Sequence, residues 1–291
     1  MAFEAVKETG GTLFVVATPI GNLDDLTYRA VKCLETVDLI ACEDTRRTAR
    51  LLNHLGLHKP LLSCFEHNEA SRVDEILAHV AAGRNVALVS DAGTPTISDP
   101  GFVLVRAARE RGFRVVPIPG PSAVIAALSA SGLPTDQFLF AGFLPRTAKA
   151  RRDRIAELKD VRATLVFYEA PHRVLEALAD LRAGLSDRDA FLAREATKVH
   201  EEYVRAPLSE LEAALRAKPG ILGEIVLVVA GAPVSALPSG SLDDAFAHFD
   251  AQTARGATPR QAAKEAARLT GLDAREIYSR VVARRRQPPA S

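Results

Sequence analysis

Short apolar runs alternate with amphipathic stretches through the first part of the chain. The runs are rich in Val, Ile and Leu and have the length of buried strands, whereas the stretches between them repeat apolar residues at helical spacing. Predicted strands cover residues 12–17, 37–42, 61–65, 85–89 and 114–118, and predicted helices include 26–36, 70–82 and 102–111. Strands that alternate with helices form a mostly parallel sheet, so the loops at their carboxyl ends are expected to converge on one edge.

The same pattern restarts after a predicted helix over residues 123–130. Predicted strands follow at residues 137–145, 164–168, 190–193 and 224–230, and predicted helices at 151–158, 174–183 and 208–217. This alternation predicts a second α/β domain. A ligand site is expected in a cleft between the two α/β domains.

The end of the chain has a different pattern. A segment containing Pro and Ser, residues 234–240, predicts a linker, and helices are predicted at 242–253, 258–271 and 273–282. Thr-Pro at the start of the second helix and Gly at its end are typical of a helix-turn-helix. The predicted fold class is therefore α/β: an N-terminal α/β domain (10–121), a C-terminal α/β domain (122–233) and a helix-turn-helix-like helical module (240–286).

Length and charge narrow the class of protein. A chain of 291 residues agrees with two or three domains. The formal net charge of +1 gives no global field that would attract a nucleic acid or a membrane, so a polyanion would have to be bound by local patches. The helical module has a modest excess of Lys and Arg, which leaves nucleic-acid contact and helical packing or dimerisation equally open.

Cysteine usage and the apolar runs predict a cytoplasmic protein without a membrane partner. Cys33, Cys42 and Cys64 lack C-x-x-C spacing and are odd in number, which fits a reducing compartment. Residues 1–10 have no apolar core of the signal-peptide type. The longest apolar run, 225–237, is interrupted by glycine and proline and is too short to span a bilayer.

The segment Ser90–Gly101 is the most unusual loop of the sequence. It follows a predicted strand and contains two Gly, two Pro and two Asp, and it is much longer than a turn requires. Pro19–Gly21, Ala92–Thr94 and Gly120–Ser122 allow bare backbone to approach a ligand, because glycine has no Cβ and proline fixes φ. Loops of this kind at strand ends suit a cofactor that carries a nucleoside.

Several common sites are absent from the sequence. It has no G-x-G-x-x-G after the first strand, no P-loop and no G-x-S-x-G, which argues against a nicotinamide site, a P-loop nucleotidase and an α/β-hydrolase. His54 and His58 have H-x-x-x-H spacing, but Leu55 stands where a metalloprotease helix carries Glu. No metal site is predicted.

Seven ordered blocks of the sequence carry a family resemblance. They are Thr18–Asp25, Cys42–Arg46, Ser90–Gly101, Pro119–Ala123, Gly142–Pro145, Glu169–Arg173 and Arg194–Lys198. In these blocks the chain closely resembles the ribosomal RNA cytidine 2′-O-methyltransferases of the tetrapyrrole methylase superfamily. The resemblance implies S-adenosyl-L-methionine as methyl donor, a two-domain α/β fold and a homodimer. It also implies a cytidine in the decoding centre of 16S rRNA, in the small ribosomal subunit, as target.

The resemblance also implies roles for individual residues, carried over by position. The cofactor-binding residues it implies are Pro19, Ile20, Ala92, Gly93, Thr94, Ile97, Ser122, Ala123, Tyr168, Glu169 and Ile225. For the three large side chains among them, Ile97, Tyr168 and Ile225, simple core packing is an equal alternative.

Methyl transfer to a ribose hydroxyl requires a proton acceptor or a stabilising cation. Polar candidates at predicted strand ends are Glu43, Glu66, Asp91, Glu169, His172, Glu195 and Lys198. Our hypothesis selects Glu195 and Lys198, which would share one face if their segment were helical; a surface salt bridge is the alternative. Asp91 and Asp99 are interpreted as hydrogen-bonding braces of the long loop.

Two basic runs predict the RNA-binding surface, since such runs bind phosphate without reading sequence. Their members are Arg46, Arg47, Arg50, Arg146, Lys149, Arg151, Arg152 and Arg154, and solvated helix faces are the alternative. Two other functions stay open: a methylase of the same superfamily that acts on a porphyrinoid ring, and a ligand-sensing regulator that binds nucleic acid without catalysis.

Overall fold

The structure is a computed structural model that describes residues 10–233 and 241–286. The predicted linker, 234–240, therefore lies outside the described residues, as do residues 1–9. The strands are β1 (Thr12–Val16), β2 (Leu39–Cys42), β3 (Leu61–Ser63), β4 (Val86–Val89), β5 (Arg114–Ile118), β6 (Phe138–Phe143), β7 (Thr164–Glu169), β8 (Asp189–Arg194), β9 (Glu202–Pro207) and β10 (Ile225–Val229). The helices are α1 (Tyr28–Thr36), α2 (Thr45–His54), α3 (Glu69–Ala81), α4 (Phe102–Glu110), α5 (Ala123–Ala130), α6 (Ala148–Glu157), α7 (Val174–Leu185), α8 (Leu208–Arg216), α9 (Leu242–Ala254), α10 (Pro259–Thr270) and α11 (Ala274–Arg286).

The first sheet is parallel throughout and has the strand order β3-β2-β4-β1-β5. Every residue of β2 and β4 is buried, as expected for central strands covered on both faces. One apolar cluster joins the sheet to α3 and α4, and another joins it to α1 and α2. The carboxyl ends of the strands meet at one edge, which confirms the expected convergence of their loops.

The second sheet is mixed, with the order β6-β7-β10-β8-β9. β6 and β7 run parallel, whereas β10 pairs antiparallel with both β7 and β8. The edge strand β9, antiparallel to β8, was not predicted from the sequence. The two sheets and their helices form one compact unit of residues up to 159 and 163–230. The boundary at residues 121 and 122 stays a prediction.

A second compact unit consists of residues 160–162 and the described residues after 230. Its helices α9, α10 and α11 pack through small and apolar side chains, among them Phe249, Ala263 and Ile277. Thr258 and Gln261 form a capping box at the start of α10, and Gly271 ends that helix in the left-handed conformation. In the part of the chain that the structure describes, no helix combines the length and apolarity needed to cross a bilayer.

Candidate active site

Two loops at the carboxyl edge of the first sheet are joined by a pair of backbone hydrogen bonds. The Thr18 N–H donates to the Gly93 carbonyl (2.8 Å), and the Gly93 N–H donates to the Thr18 carbonyl (3.0 Å). Gly93 has a φ of 78°, which a residue without Cβ adopts at little cost. The Thr18 hydroxyl also donates to the Ser90 carbonyl (3.1 Å), so the β1 and β4 loops are held together as one wall.

This wall borders a cavity of about 320 Å³ that lies between the strand ends of the two sheets. Its lining consists of Ile20, Ala92, Gly93, Thr94, Ile97, Ser98, Asp99, Ser122, Ala123, Phe143, Tyr168, Glu169, Ala170, Pro171, Ala193, Ala196, Glu224, Ile225 and Val226. The volume is within the range of small-molecule sites. The structure thus brings together every cofactor-binding residue expected from the resemblance except Pro19.

Pro19 lies on the other side of the paired loops. It lines a smaller depression together with Thr18, Leu23, Arg47 and Arg50. The loop therefore presents consecutive residues, Pro19 and Ile20, to two different surfaces.

An aromatic group forms one side of the cavity. The Tyr168 ring contacts Phe140 and Phe143 edge to face, with centroids 4.9 and 5.5 Å apart. Burial raises the pKa of Tyr168 to about 12, and the charge of Asp99 acts in the same direction. The phenol therefore stays protonated and neutral at physiological pH.

Glu169 is the most buried carboxylate of the cavity wall, with a fully buried side chain. Burial raises its pKa, while the Ala170 N–H, 2.8 Å from Oε1, and the charge of Arg173 oppose that shift. Arg173 in turn donates to the Leu144 carbonyl. Glu169 is thus tied into a network that fixes the start of the segment after β7.

The long loop after β4 contains an unusual concentration of left-handed backbone. Thr96 (φ 76°) and Ser98 (φ 61°) both adopt a conformation that is costly for residues with a Cβ. Asp99 follows directly and lines the cavity. Such outliers persist only where surrounding structure holds them, and they cluster at functional sites.

The two aspartates of this loop have different surroundings. Asp91 accepts a hydrogen bond from the Asp44 N–H (3.0 Å) and lies 3.4 Å from Arg47, so it joins two loops as the sequence interpretation expected of a brace. Burial raises the pKa of Asp99 to about 6, opposed by a Ser90 hydrogen bond and assisted by the charges of Glu43 and Asp91.

Glu195 and Lys198 were expected to share one face if their segment were helical. The segment is a turn and not a helix, so that condition is not met. Glu195 (φ 53°) and Thr197 (φ 67°) are left-handed, which a helix does not accommodate. The turn still brings the two side chains together: Lys198 Nζ is 2.7 Å from Glu195 Oε1 and 3.2 Å from Glu224 Oε2.

The basic residues expected to bind RNA differ in accessibility. Arg46, Arg47, Arg50, Arg146, Lys149 and Arg152 are exposed, and Arg154 is partly exposed. Arg151 is the exception, because only 3% of its side chain is exposed and it pairs with Asp180 (2.7 Å) and Glu176 (3.1 Å). The expectation of an RNA contact is wrong for Arg151, which joins α6 to α7.

Some residues that line the cavity were not predicted from the sequence as site residues. Phe143, Ala170 and Pro171 lie inside recognised blocks, so the signal for them was present but was not used. Ala196 likewise lies inside the recognised block Arg194–Lys198. Ala193 and Val226 enter the cavity through the pairing of β8 with β10, which a single sequence does not reveal, and Glu224 directly precedes β10. Among the described residues, no cluster of His, Cys, Asp and Glu could hold a metal ion.

Comparison with known proteins identifies the family. Residues 12–212 match the family described as Tetrapyrrole (Corrin/Porphyrin) Methylases. The chain belongs to this family. Within the tetrapyrrole methylases it is 52% identical to Ribosomal RNA small subunit methyltransferase I of Pseudomonas aeruginosa, over 77% of this chain and 80% of that protein.

Other relatives extend the match towards the ends of the chain. Ribosomal RNA small subunit methyltransferase I of Xylella fastidiosa is 47% identical over 93% of this chain and 98% of that protein. The chain therefore belongs with the methyltransferases of this name and is itself a methyltransferase.

Solved tetrapyrrole methylase structures share the fold. Uroporphyrin-III-C-methyltransferase from Thermus thermophilus superposes with a TM-score of 0.54 at 22% identity, covering 76% of this chain and 94% of that one. A cobalt precorrin-4 methyltransferase superposes with a TM-score of 0.57 at 18% identity, covering 75% and 94%. At this identity the likeness concerns the α/β architecture alone.

Proposed function

We propose that this methyltransferase transfers the methyl group of S-adenosyl-L-methionine to the ribose 2′-hydroxyl of a cytidine in 16S rRNA. The observation that carries the proposal is the extensive identity with proteins named Ribosomal RNA small subunit methyltransferase I. The choice of a cytidine 2′-oxygen rests on the sequence blocks that resemble the ribose methyltransferases. The small ribosomal subunit is accordingly the proposed partner.

The cavity has the chemistry that this cofactor requires. The bound cofactor supplies a methyl group that is already activated on a positively charged sulfur. Tyr168 and Phe143 offer aromatic surface for an adenine ring, and the backbone of Ala92–Thr94 offers polar groups at close approach. Ser122 precedes α5 without making the capping hydrogen bond, which leaves its hydroxyl for a ligand. These residues fit the cofactor.

Positioning supplies most of the rate in such a transfer, because the electrophile needs no further activation. The ribose oxygen must approach the methyl carbon in line with the bond that breaks. Ile97, Ile225 and Val226 contribute apolar surface to the cavity, which limits the access of competing water. The chain's own tasks are therefore to orient both partners and to take up one proton.

The Glu195–Lys198 pair is proposed to position the ribose rather than to deprotonate it. The Lys198 hydrogen bond lowers the pKa of Glu195. Burial acts to lower the pKa of Lys198, but its contacts with Glu195 and Glu224 raise it overall. Lys198 thus remains an ammonium without a free electron pair, and it can donate to a ribose or phosphate oxygen.

The proposed RNA surface consists of the exposed members of the two basic runs. Arg46, Arg47 and Arg50 lie on α2 and Arg152 and Arg154 on α6. Arg47 and Arg50 also line the depression behind the paired loops. Cations on helix faces contact phosphates without regard to base identity, so they would dock the subunit while other groups select the nucleotide.

The cavity argues against a porphyrinoid substrate. A ring that carries several carboxylates would need basic side chains around it, yet in the described part of the chain the lining contains no Arg or Lys.

The proposal is tested by incubating the protein with S-adenosyl-L-methionine labelled in its methyl group and small subunits from cells that lack the modification. Label in the 16S rRNA is the expected result. Label in an added porphyrinoid instead would support the tetrapyrrole alternative, and RNA binding without any transfer would support a regulator.

We further propose that the chain acts as a homodimer in the cytoplasm, where small subunits are available. The dimer follows from the family resemblance. Sedimentation equilibrium of the purified chain tests it: a mass of about twice that of one chain is expected, and a monomer across the working concentration range would contradict it.

A further inference from the structure

The proposed reaction leaves one proton unassigned. When the ribose oxygen bonds to the methyl carbon, the carbon–sulfur bond breaks and its electron pair stays on sulfur. The hydroxyl proton must then go to a base within hydrogen-bond reach. In the described residues, four titratable side chains line the cavity: Asp99, Tyr168, Glu169 and Glu224.

Three of these four side chains are unsuited to accept the proton. Tyr168 is a neutral phenol at physiological pH, so it already holds its proton and cannot accept another. Glu169 has a fully buried side chain, and its oxygens contact the Ala170 N–H and Arg173. Glu224 lies at the rim with 75% of its side chain exposed, and its Oε2 is 3.2 Å from Lys198 Nζ.

Asp99 is only partly buried, and no cation is among the groups that shift its pKa. It lies in the cavity wall, in the loop that also presents Ala92–Thr94, directly after Ser98, which like Thr96 has left-handed backbone. The groups that face it are the Ser90 hydroxyl and Asp91 of its own loop, Glu43 after β2 and Tyr168 of β7. None of these carries a positive charge that would weaken it as a base.

We infer that Asp99 is the proton acceptor for the ribose hydroxyl that becomes methylated. This inference rests on the proposed function. The Asp99 carboxylate takes the hydroxyl proton as the oxygen–carbon bond forms and releases it to solvent after the product leaves. The strained Thr96–Ser98 segment holds the carboxylate against the cavity, which is the use that such strain has at catalytic sites.

The pKa of Asp99 suits this task. Burial, with the charges of Glu43 and Asp91, raises it to about 6, so the group is ionised at physiological pH and is a stronger base than an ordinary aspartate. The rate of the chemical step should therefore rise with pH up to about 6 and level off above it.

The test is single-turnover methyl transfer to small subunits at saturating S-adenosyl-L-methionine, with cofactor affinity measured separately by calorimetry. Asp99→Asn is expected to slow transfer by about 10²- to 10⁴-fold while the cofactor Kd stays within about threefold, and Asp99→Glu should recover part of the rate. Asp136→Asn makes the same chemical change at an exposed position away from the cavity and should leave the rate unchanged.

Two results would overturn the inference. One is an Asp99→Asn variant whose rate returns to that of the wild type once the cofactor saturates, which would make Asp99 a cofactor-binding residue only. The other is a wild-type pH profile without a limb near pH 6, a measurement that needs no variant to fold. If the wild type labels no RNA at all, the proposed function fails instead, so the two failures are distinguishable.

Discussion

At the scale of the residue, Asp99 should reduce the stability of the folded chain at neutral pH. Its pKa is about 6 in the folded state against an ordinary value of 3.8, so the folded state binds the proton more tightly between these values. The free energy of unfolding therefore falls as pH rises through this window, and the cost is complete above pH 6. Stability given up at a functional position is a common compromise.

Asp99→Asn should consequently raise the Tm at pH 8 and leave it nearly unchanged at about pH 2.5, which lies below both pKa values, so that Asp99 is mostly protonated in the folded and the unfolded state. Thermal unfolding monitored by circular dichroism at the two pH values measures this difference. Asp136→Asn makes the same chemical change at an exposed position outside the cavity lining and is the matched control. An equal or lower Tm for Asp99→Asn at pH 8 would contradict the account.

At the scale of the element, the turn after β8 lies directly on the loop after β1. A Cβ added to Gly21 would be 2.5 Å from Lys198 Cγ, 2.8 Å from Thr197 Oγ1 and 3.0 Å from the Ala196 carbonyl. Glycine at this position thus allows the loop that carries Ile20 to meet the turn that carries Ala196, and both residues line the cavity.

Gly21→Ala should therefore destabilise the chain by about 1–3 kcal/mol, the usual cost of overpacking, and should also slow methyl transfer. Gly220→Ala is the matched control, because a Cβ there meets nothing within 4 Å. Chemical denaturation and the labelled-methyl assay measure the two effects. Wild-type stability and rate for Gly21→Ala would show that the two loops do not depend on their contact.

The sequence predicted most strands and helices, but it did not predict which distant segments pair or pack against them. Strands such as β4 are continuous apolar runs, and their burial on both faces follows from that composition. β9 was missed because it is a partly exposed edge strand with charged residues, whose pairing with β8 is fixed by a distant segment. Arg151 stands in a basic run, and only the packing of α6 on α7 shows that its partners are Asp180 and Glu176.

The contacts within the cavity also could not be predicted from the sequence. Most of the expected cofactor residues lie in the ordered blocks that carry the resemblance, whereas Asp99 was interpreted from the sequence as a structural brace of its loop. The position of Asp99 against Tyr168 of β7 and Glu43 after β2 depends on the meeting of the two sheets. A pattern within one segment of the sequence does not predict contacts between segments that lie so far apart in the chain.

At the scale of the whole molecule, a net charge of +1 means that the proposed binding to the small subunit must depend on local cations. Each phosphate contact releases counterions, so affinity should fall steeply as salt rises. Arg50→Ala and Lys149→Ala should each weaken binding and reduce the slope of log Kd against log salt by about one. Lys32→Ala removes an exposed cation outside both basic runs and serves as the control.

Filter binding of labelled small subunits between about 50 and 200 mM salt measures these slopes. An affinity that does not change with salt, or slopes that the two variants leave unaltered, would remove the basic runs from the RNA surface.

We propose that the methyl group goes to the 2′-oxygen of a cytidine in 16S rRNA. The most direct measurement is mass spectrometry of nucleosides after complete digestion of 16S rRNA, taken from small subunits incubated with the protein and deuterated S-adenosyl-L-methionine. We expect deuterium in 2′-O-methylcytidine alone, and much less of that product from Asp99→Asn in the same time. Deuterium in a base-methylated nucleoside, or in none, would contradict it.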